Sequence, residues 1–429
     1  MITFINGITS FNAWLSEHDV QSDQLDDTTM ATVMNIKSVV QNDGDIGICK
    51  LTKDLDHVTI DSTELRVSED DCHAAFSQVD DAYIDALKRA AKNIEEYHIN
   101  QQPNQWERKK STYTYGVQYA PIDSVGLYVP GGRAVYPSSV LMTAIPAKIA
   151  GCGRIVMVSP PTTDGSISPS VLVAAALSGV NEIYQMGGAQ AVFGLAYGTQ
   201  TIQPVDKIVG PGNRYVTAAK QLVYGAVDID KPAGPSEVCV YVDRLEYARH
   251  AAAEMLAQLE HDPDASAIGI VPSNELAHAV KKEAERQLKT LKRQSIINQS
   301  KGNACIAIVD TKEAAITAIN NCASEHVVLI SNDADNIRQQ VMHAGAIFCG
   351  PYTPVALGDY YAGPNHVLPT GRSARFASPL GVMDFMKFSS YLRYSKSALQ
   401  DAMDDMDQLT QAEGLDAHFQ SVKIRLTDD

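Results

Sequence analysis

Gln258 and His261 place an amide oxygen and an imidazole three residues apart, just before Pro263. On a helix that spacing puts both on one face, and an oxygen donor beside a nitrogen donor suits a divalent metal. Good helix formers from Leu245 to Leu259 lead into the pair, and Pro263 stops any helix soon after. A polar helix end is ordinarily only solvated, so the pair alone is not a site.

Other reactive types gather farther along. Glu325-His326 is a carboxylate beside an imidazole where a helical run gives way to an apolar one. That is a candidate acid/base pair, although sequence neighbours need not point the same way. Asp359 and His366 share a long Gly/Pro/Tyr-rich stretch, 351–371, and a stretch of that length without structure usually has a function. Glu413 and His418 lie five apart near the end, and Ser236 stands just before an apolar run. Gln258, His261, Asp359 and His418 would together suit zinc, manganese or magnesium. Spacing does not bring the four together, and unrelated surface polar residues fit it as well.

Three glycine-rich turns each follow an apolar run: Tyr128 to Gly132, Gly187 to Gln190 and Gly210 to Asn213. In an open α/β sheet, ligands bind beyond the carboxyl ends of strands, so Tyr128, Gln190 and Asn213 could line a crevice. Tight connections without a ligand fit equally. No GxGxxG follows any predicted strand, so the standard dinucleotide fingerprint is absent.

The elements that must position these residues are legible in the apolar pattern. Short unalternating runs at 124–129, 155–158, 182–186 and 207–209 predict parallel strands buried on both faces. Helical segments at 139–149, 168–177, 189–197 and 214–224 separate them. The alternation restarts with strands at 237–242, 267–271, 304–309, 326–330 and 346–349, and helices near 245–258, 274–291, 312–321 and 334–342. Two doubly wound, mostly parallel α/β domains are expected. Before them the chain reads as helical, at 30–40 and along an amphipathic run over 68–97. After them, helices are expected at 382–392 and 396–411, then a closing run over 413–426 with little core of its own.

At 429 residues two or more domains are expected, and 45% apolar with 20% charged residues is a soluble globular profile. A net charge of −16 argues against nucleic-acid or anionic-membrane surfaces. The N-terminus lacks signal-peptide character, and the longest uncharged run, 183–205, is too polar to span a bilayer. Seven scattered cysteines without CxxC spacing suit a reducing cytoplasm.

The motifs form an ordered set: GLYVPGG (126–132), GGAQA (187–191), GPGN with YV and AK following (210–220), PAGPSEV (232–238), QxEHDPD (258–264), SEHVVL (324–329), GDYYAGPNHVLPTG (358–371) and EGLDAHxxxVxxRL (413–426). Together they resemble the histidinol dehydrogenase family, which acts in the last steps of histidine biosynthesis. The resemblance implies two incomplete Rossmann-like domains, a helical N-terminal region and a C-terminal tail that docks on the partner of a cytoplasmic homodimer. The expected division is an arm over 1–25, a metal and catalytic domain from 26–120 plus 236–375, an NAD-side domain over 121–235, and a dimerisation tail over 376–429.

By the same resemblance, one zinc per subunit is held by Gln258, His261, Asp359 and, from the other chain, His418. Glu325 and His326 match acid/base residues. Ser236, His366 and Glu413 match contacts to L-histidinol, joining Gln258, His261, His326, Asp359 and His418 around it. Tyr128, Gln190 and Asn213 match the site of NAD, the cosubstrate. The implied reaction is a two-step, four-electron oxidation of L-histidinol to L-histidine through a bound aldehyde, with His326 as a base whose ordinary pKa of about 6.5 suits neutral pH. Ser324, Leu259 and Arg372 depart from residues usual in relatives and put local loop geometry in question. A zinc hydrolase using Glu325 to activate water is the alternative favoured by the missing GxGxxG. A non-catalytic binding protein is opposed by the intact donors and Glu-His pair.

Overall fold

The structure, a computed structural model, describes residues 2–18, 26–131 and 135–427. Residues 19–25 of the expected arm and Gly132 of the first glycine-rich turn lie outside the described residues. Strand β1 (Thr3–Asn6) opens the chain, and β2 (Trp106–Lys109) and β3 (Tyr113–Pro121) follow a long helical stretch. Then β4 (Ser124–Tyr128), β5 (Arg154–Ser159), β6 (Glu182–Gln185), β7 (Lys207–Val209) and β8 (Asp228–Ile229) come in turn. The second set is β9 (Glu237–Val242), β10 (Ser266–Val271), β11 (Ala304–Ile308), β12 (His326–Ile330) and β13 (Ala346–Cys349), and β14 (Met386–Tyr394) comes last.

Eleven of these strands form two parallel sheets. The five-stranded sheet runs β6-β5-β4-β7-β8 and the six-stranded sheet β1-β11-β10-β9-β12-β13. Each reverses its winding once, between β4 and β7 in one and between β9 and β12 in the other, which defines a topological switch point in each. Helices cover both faces, so β11 is buried along its whole length and β9 from Val238 onward. The link from β8 to β9 is short, 230–236. It sets the carboxyl edge of the five-stranded sheet next to the amino edge of the six-stranded one.

Packing shows which sheet the N-terminal helices cover. The helix Asp27–Asp56 buries Val33, Ile36, Val40 and Ile48 against the five-stranded sheet, and Ile84, Leu87 and Ile94 of Asp81–His98 join that sheet's other core. The N-terminal helical region thus packs on the sheet of 121–235, and the helix Asp81–His98 also meets residues of 236–375 through Tyr361, Asn365 and Val367. The arm is not separate either. β1 pairs in parallel with β11, and Phe11 and Leu15 of the following helix are buried in the six-stranded domain.

Two local expectations also change. The amphipathic run over 68–97 divides: Ser68 and Asp71 form a capping box for Glu69–Ala75, and Asp80 caps a new helix, Asp81–His98. The stretch expected to be helical at 382–392 is a 3-10 turn followed by β14, which pairs antiparallel with β3 over nine positions. With β2 these make a third sheet, absent from the sequence reading. Partner strands outweighed local propensity there. No helix among the described residues is long and apolar enough to cross a membrane.

Candidate active site

β9 and β12 are neighbours at the switch point, and both begin at the crevice, with His326 opposite Val238. Glu325, one residue before β12, accepts from the Glu237 N–H at 3.1 Å and from the Ser236 hydroxyl. His326 Nδ1 lies 3.3 Å from the Glu237 carbonyl and 3.5 Å from Glu325 Oε2. A carbonyl only accepts, so this contact favours a proton on Nδ1. Nε2 is then left toward Asp359, whose Oδ1 is 3.7 Å away, too far for a hydrogen bond but close enough for charge attraction. The sequence-adjacent Glu325 and His326 do face one another.

Burial alone would lower the His326 pKa, but Glu325 and Asp359 beside it push the imidazole up to about 9. The anionic surroundings thus raise the imidazole above its ordinary range. Burial raises the Glu325 carboxyl despite His326, the Glu237 N–H and Ser236. Glu237, which the sequence reading passed over, is pushed up to about 8 by burial and by the charge of Glu325. Its carboxylate accepts from the Arg372 N–H at 3.3 Å and lines a cavity of about 100 Å³ behind the pair.

Gln258 ends the helix Ala248–Leu259, buried, with Nε2 lacking any hydrogen-bond partner. His261 follows past the helix end, exposed, its N–H on the Gln258 carbonyl at 3.2 Å. Asp359 lies near the end of the helix Val355–Tyr360. Burial would raise its carboxyl, but His326, His366 and His261 around it hold it below its usual range. Glu254, one turn before Gln258, accepts from the Val355 N–H at 3.1 Å, and burial raises its carboxyl. It ties the helix of Gln258 to the helix of Asp359. Its four-residue spacing from Gln258 was the signal that could have found it.

His366 bridges the domains. Its Nδ1 is 2.8 Å from the Asp359 carbonyl, and Nε2 is 3.2 Å from Ser139 Oγ on the helix Pro137–Ala150. Burial lowers its pKa. Glu413 and His418 are exposed on tail helices, and among the described residues no three His, Cys, Asp or Glu side chains are grouped to hold a metal. One chain thus offers a buried amide, whose oxygen is the ligating atom, an imidazole and a carboxylate. These oxygen and nitrogen donors fit a divalent cation that needs a further ligand.

The facing edge carries the glycine-rich turns. The Tyr128 hydroxyl accepts from the Gly188 N–H at 3.0 Å, and burial pushes its pKa up to about 12. Gln190 is fully buried, with Nε2 3.4 Å from Asp56 and Oε1 unpartnered. Asn213 Oδ1 caps the helix Arg214–Val223 through the Tyr215 and Val216 N–H groups. Tyr128 and Gln190 therefore shape the turns from beneath, while Asn213 is exposed. The departures have visible consequences. Arg372 takes φ 60, a left-handed conformation that favours glycine, and Leu259 is buried in the apolar core.

Two doubly wound sheets meeting at their switch points around a buried Glu–His pair define an α/β enzyme with an interdomain site. The histidinol dehydrogenase family model matches residues 20–426. Histidinol dehydrogenase of Synechococcus sp. is 47% identical over 92% of each chain, and that of Bacillus subtilis is 45% identical over 92% of each. The crystal structure of histidinol dehydrogenase from Elizabethkingia anophelis superposes with a TM-score of 0.93 at 33% identity, covering 99% of this chain and 98% of that one. The chain belongs to the histidinol dehydrogenase family and is an oxidoreductase.

Proposed function

We propose that the protein carries out the zinc-dependent, NAD-linked oxidation of L-histidinol to L-histidine in histidine biosynthesis, as a homodimer with shared sites. The observation that carries the reading is the series Glu325–His326–Asp359, with contacts of 3.5 and 3.7 Å, beside the buried Gln258 amide. The hydrolase and non-catalytic readings give way to an oxidoreductase family.

Zinc would be held by Gln258, His261, Asp359 and a second copy's His418, and would supply an anchor for the substrate's nitrogens. NAD bound at the glycine-rich turns would accept hydride. In the first oxidation His326 takes the hydroxyl proton as the carbinol C–H leaves as hydride, giving the aldehyde. Glu325 then takes a proton from water adding to the aldehyde, and the hydrate loses a second hydride and a proton to become the acid. His326 must be neutral to act. A dication beside Asp359 would offset that carboxylate and bring the imidazole back toward its ordinary range. Ser236, His366 and Glu413 would contact substrate, and the enclosed crevice would retain the aldehyde.

Exposure of the tail supports its docking on a second copy. β14 is exposed along nearly its whole length, with Phe388 65% and Leu392 68% accessible. The test is absorbance at the NADH band with purified protein, zinc, histidinol and NAD. Two NADH per histidinol, abolished by a chelator and restored by zinc, is the expected result. Folded, zinc-loaded protein that makes no NADH would overturn the reading.

A further inference from the structure

Lys220 and Asp230 form an ion pair whose two side chains are each only 2% exposed. The three ammonium protons are all placed: on Asp230 Oδ1, on the Gly210 carbonyl at 2.9 Å and on the Lys231 carbonyl at 3.1 Å. Asp230 Oδ2 in turn accepts from the Gly210 N–H at 2.8 Å. Both backbone groups of one residue are thus gripped by the two halves of a single pair, closing a ring. Gly210 has φ 118, and a Cβ there would stand 2.2 Å from the Tyr128 carbonyl oxygen, so the turn is pressed against the end of β4. A second tie runs beside it, from Thr217 Oγ1 to the Ala233 carbonyl at 3.1 Å.

Stability alone does not call for such a pair. Desolvating two charges offsets most of their attraction, and an apolar pair of similar volume is often as stable. Asn213, three residues after Gly210, starts the helix Arg214–Val223, and Lys220 reaches back from that same helix. The ring joins the end of β7, the start of the 230–236 link and the helix into one unit at the switch point between β4 and β7.

We propose that Lys220 and Asp230 are positioning residues for the Gly210–Asn213 turn, holding its backbone in the conformation that receives the nucleotide. The inference rests on the NAD reading of that edge. A preorganised turn spares the ordering cost at binding, so its loss is read in affinity for the nucleotide. The catalytic and metal donors lie on the other sheet's edge and are not part of the ring.

The experiment uses the full-length, zinc-loaded protein with Lys220→Met, Asp230→Asn and the apolar double variant Lys220→Met/Asp230→Leu. The double variant removes the charges without stranding one, which protects the fold. NADH affinity is measured by fluorescence titration, alongside KM for NAD and for histidinol, zinc content and melting temperature. The double variant is expected to lose about tenfold or more in NADH affinity, with KM for NAD raised about as much and histidinol KM and zinc content within about twofold. Unchanged NADH affinity in a folded double variant would overturn the inference, even if the melting temperature drops. Equal losses for NAD and histidinol would overturn it too. If the unaltered protein binds no NADH, the NAD reading falls and takes this inference with it.

Discussion

At the carboxyl edge of the five-stranded sheet, most polar side chains near the turns are spent on backbone. Tyr128 holds the Gly188 N–H, Asn213 caps a helix, and Lys220 with Asp230 grips Gly210. At the amino edge of the six-stranded sheet, polar atoms are left over: Gln258 Nε2 and His326 Nε2 are buried without hydrogen bonds, and Glu237, Glu254 and Glu325 crowd one histidine. Gln190 Oε1 apart, the first edge has its polar groups committed before any ligand arrives; the second carries buried charge in surplus. A turn that takes up a diffusing cosubstrate gains from being fixed, whereas a centre that holds metal and moves protons needs unspent donors and shifted pKa values.

Removing a base from the second edge should have the largest effect. His326→Ala is expected to cut NADH production about 10³-fold, while zinc content by atomic absorption and NADH binding stay at the level of the unaltered protein. Ordinary turnover in this variant would remove the distinction between the edges.

Glu254→Gln is expected to act more mildly and on metal. An amide can no longer accept the Val355 N–H as a charge, so the helix of Asp359 is held less firmly. Zinc affinity, read by competition with a chromophoric chelator, should weaken about tenfold. NADH binding should not change; a parallel loss there would show that the two edges are coupled.

The smallest effect is expected away from both edges. Arg154 pairs with Glu182 through contacts of 2.7 and 3.1 Å at the amino ends of β5 and β6, and that hydrogen bonding holds the Glu182 carboxyl below its usual range. A depressed folded pKa stabilises the protein above the ordinary carboxylate range, and this is lost as pH falls through the folded value. Glu182→Gln should therefore cost about 1 kcal/mol at neutral pH, with the two melting temperatures converging on acidification. A gap that widens in acid would contradict the sign, and altered kinetics would show that the pair is not structural alone.

How much of this was readable beforehand differs from element to element. Strands β4 to β7 and β9 to β13 lie close to their expected bounds because they are short apolar runs, mostly buried on both faces, a signal carried locally, whereas the two-residue β8, half exposed, was not expected. β14 and β3 carry no such signal, since their antiparallel sheet is half exposed and exists only through pairing. Glu237 and Glu254 were passed over for a related reason: each acts through backbone groups far along the chain.

The sequence by itself determined the β/α alternation, the glycine turns and the presence of Gln258, His261, Glu325, His326 and Asp359 in a recognisable order. Only the tertiary structure decided that the helical region over 27–98 packs on the five-stranded sheet, and that the carboxyl edge of one sheet meets the amino edge of the other. It alone set Glu325 and Asp359 against His326, whose pKa they push up to about 9. The reason is physical. Periodicity and motif order are local properties of a chain, whereas charge interaction and burial depend on distances that folding alone sets.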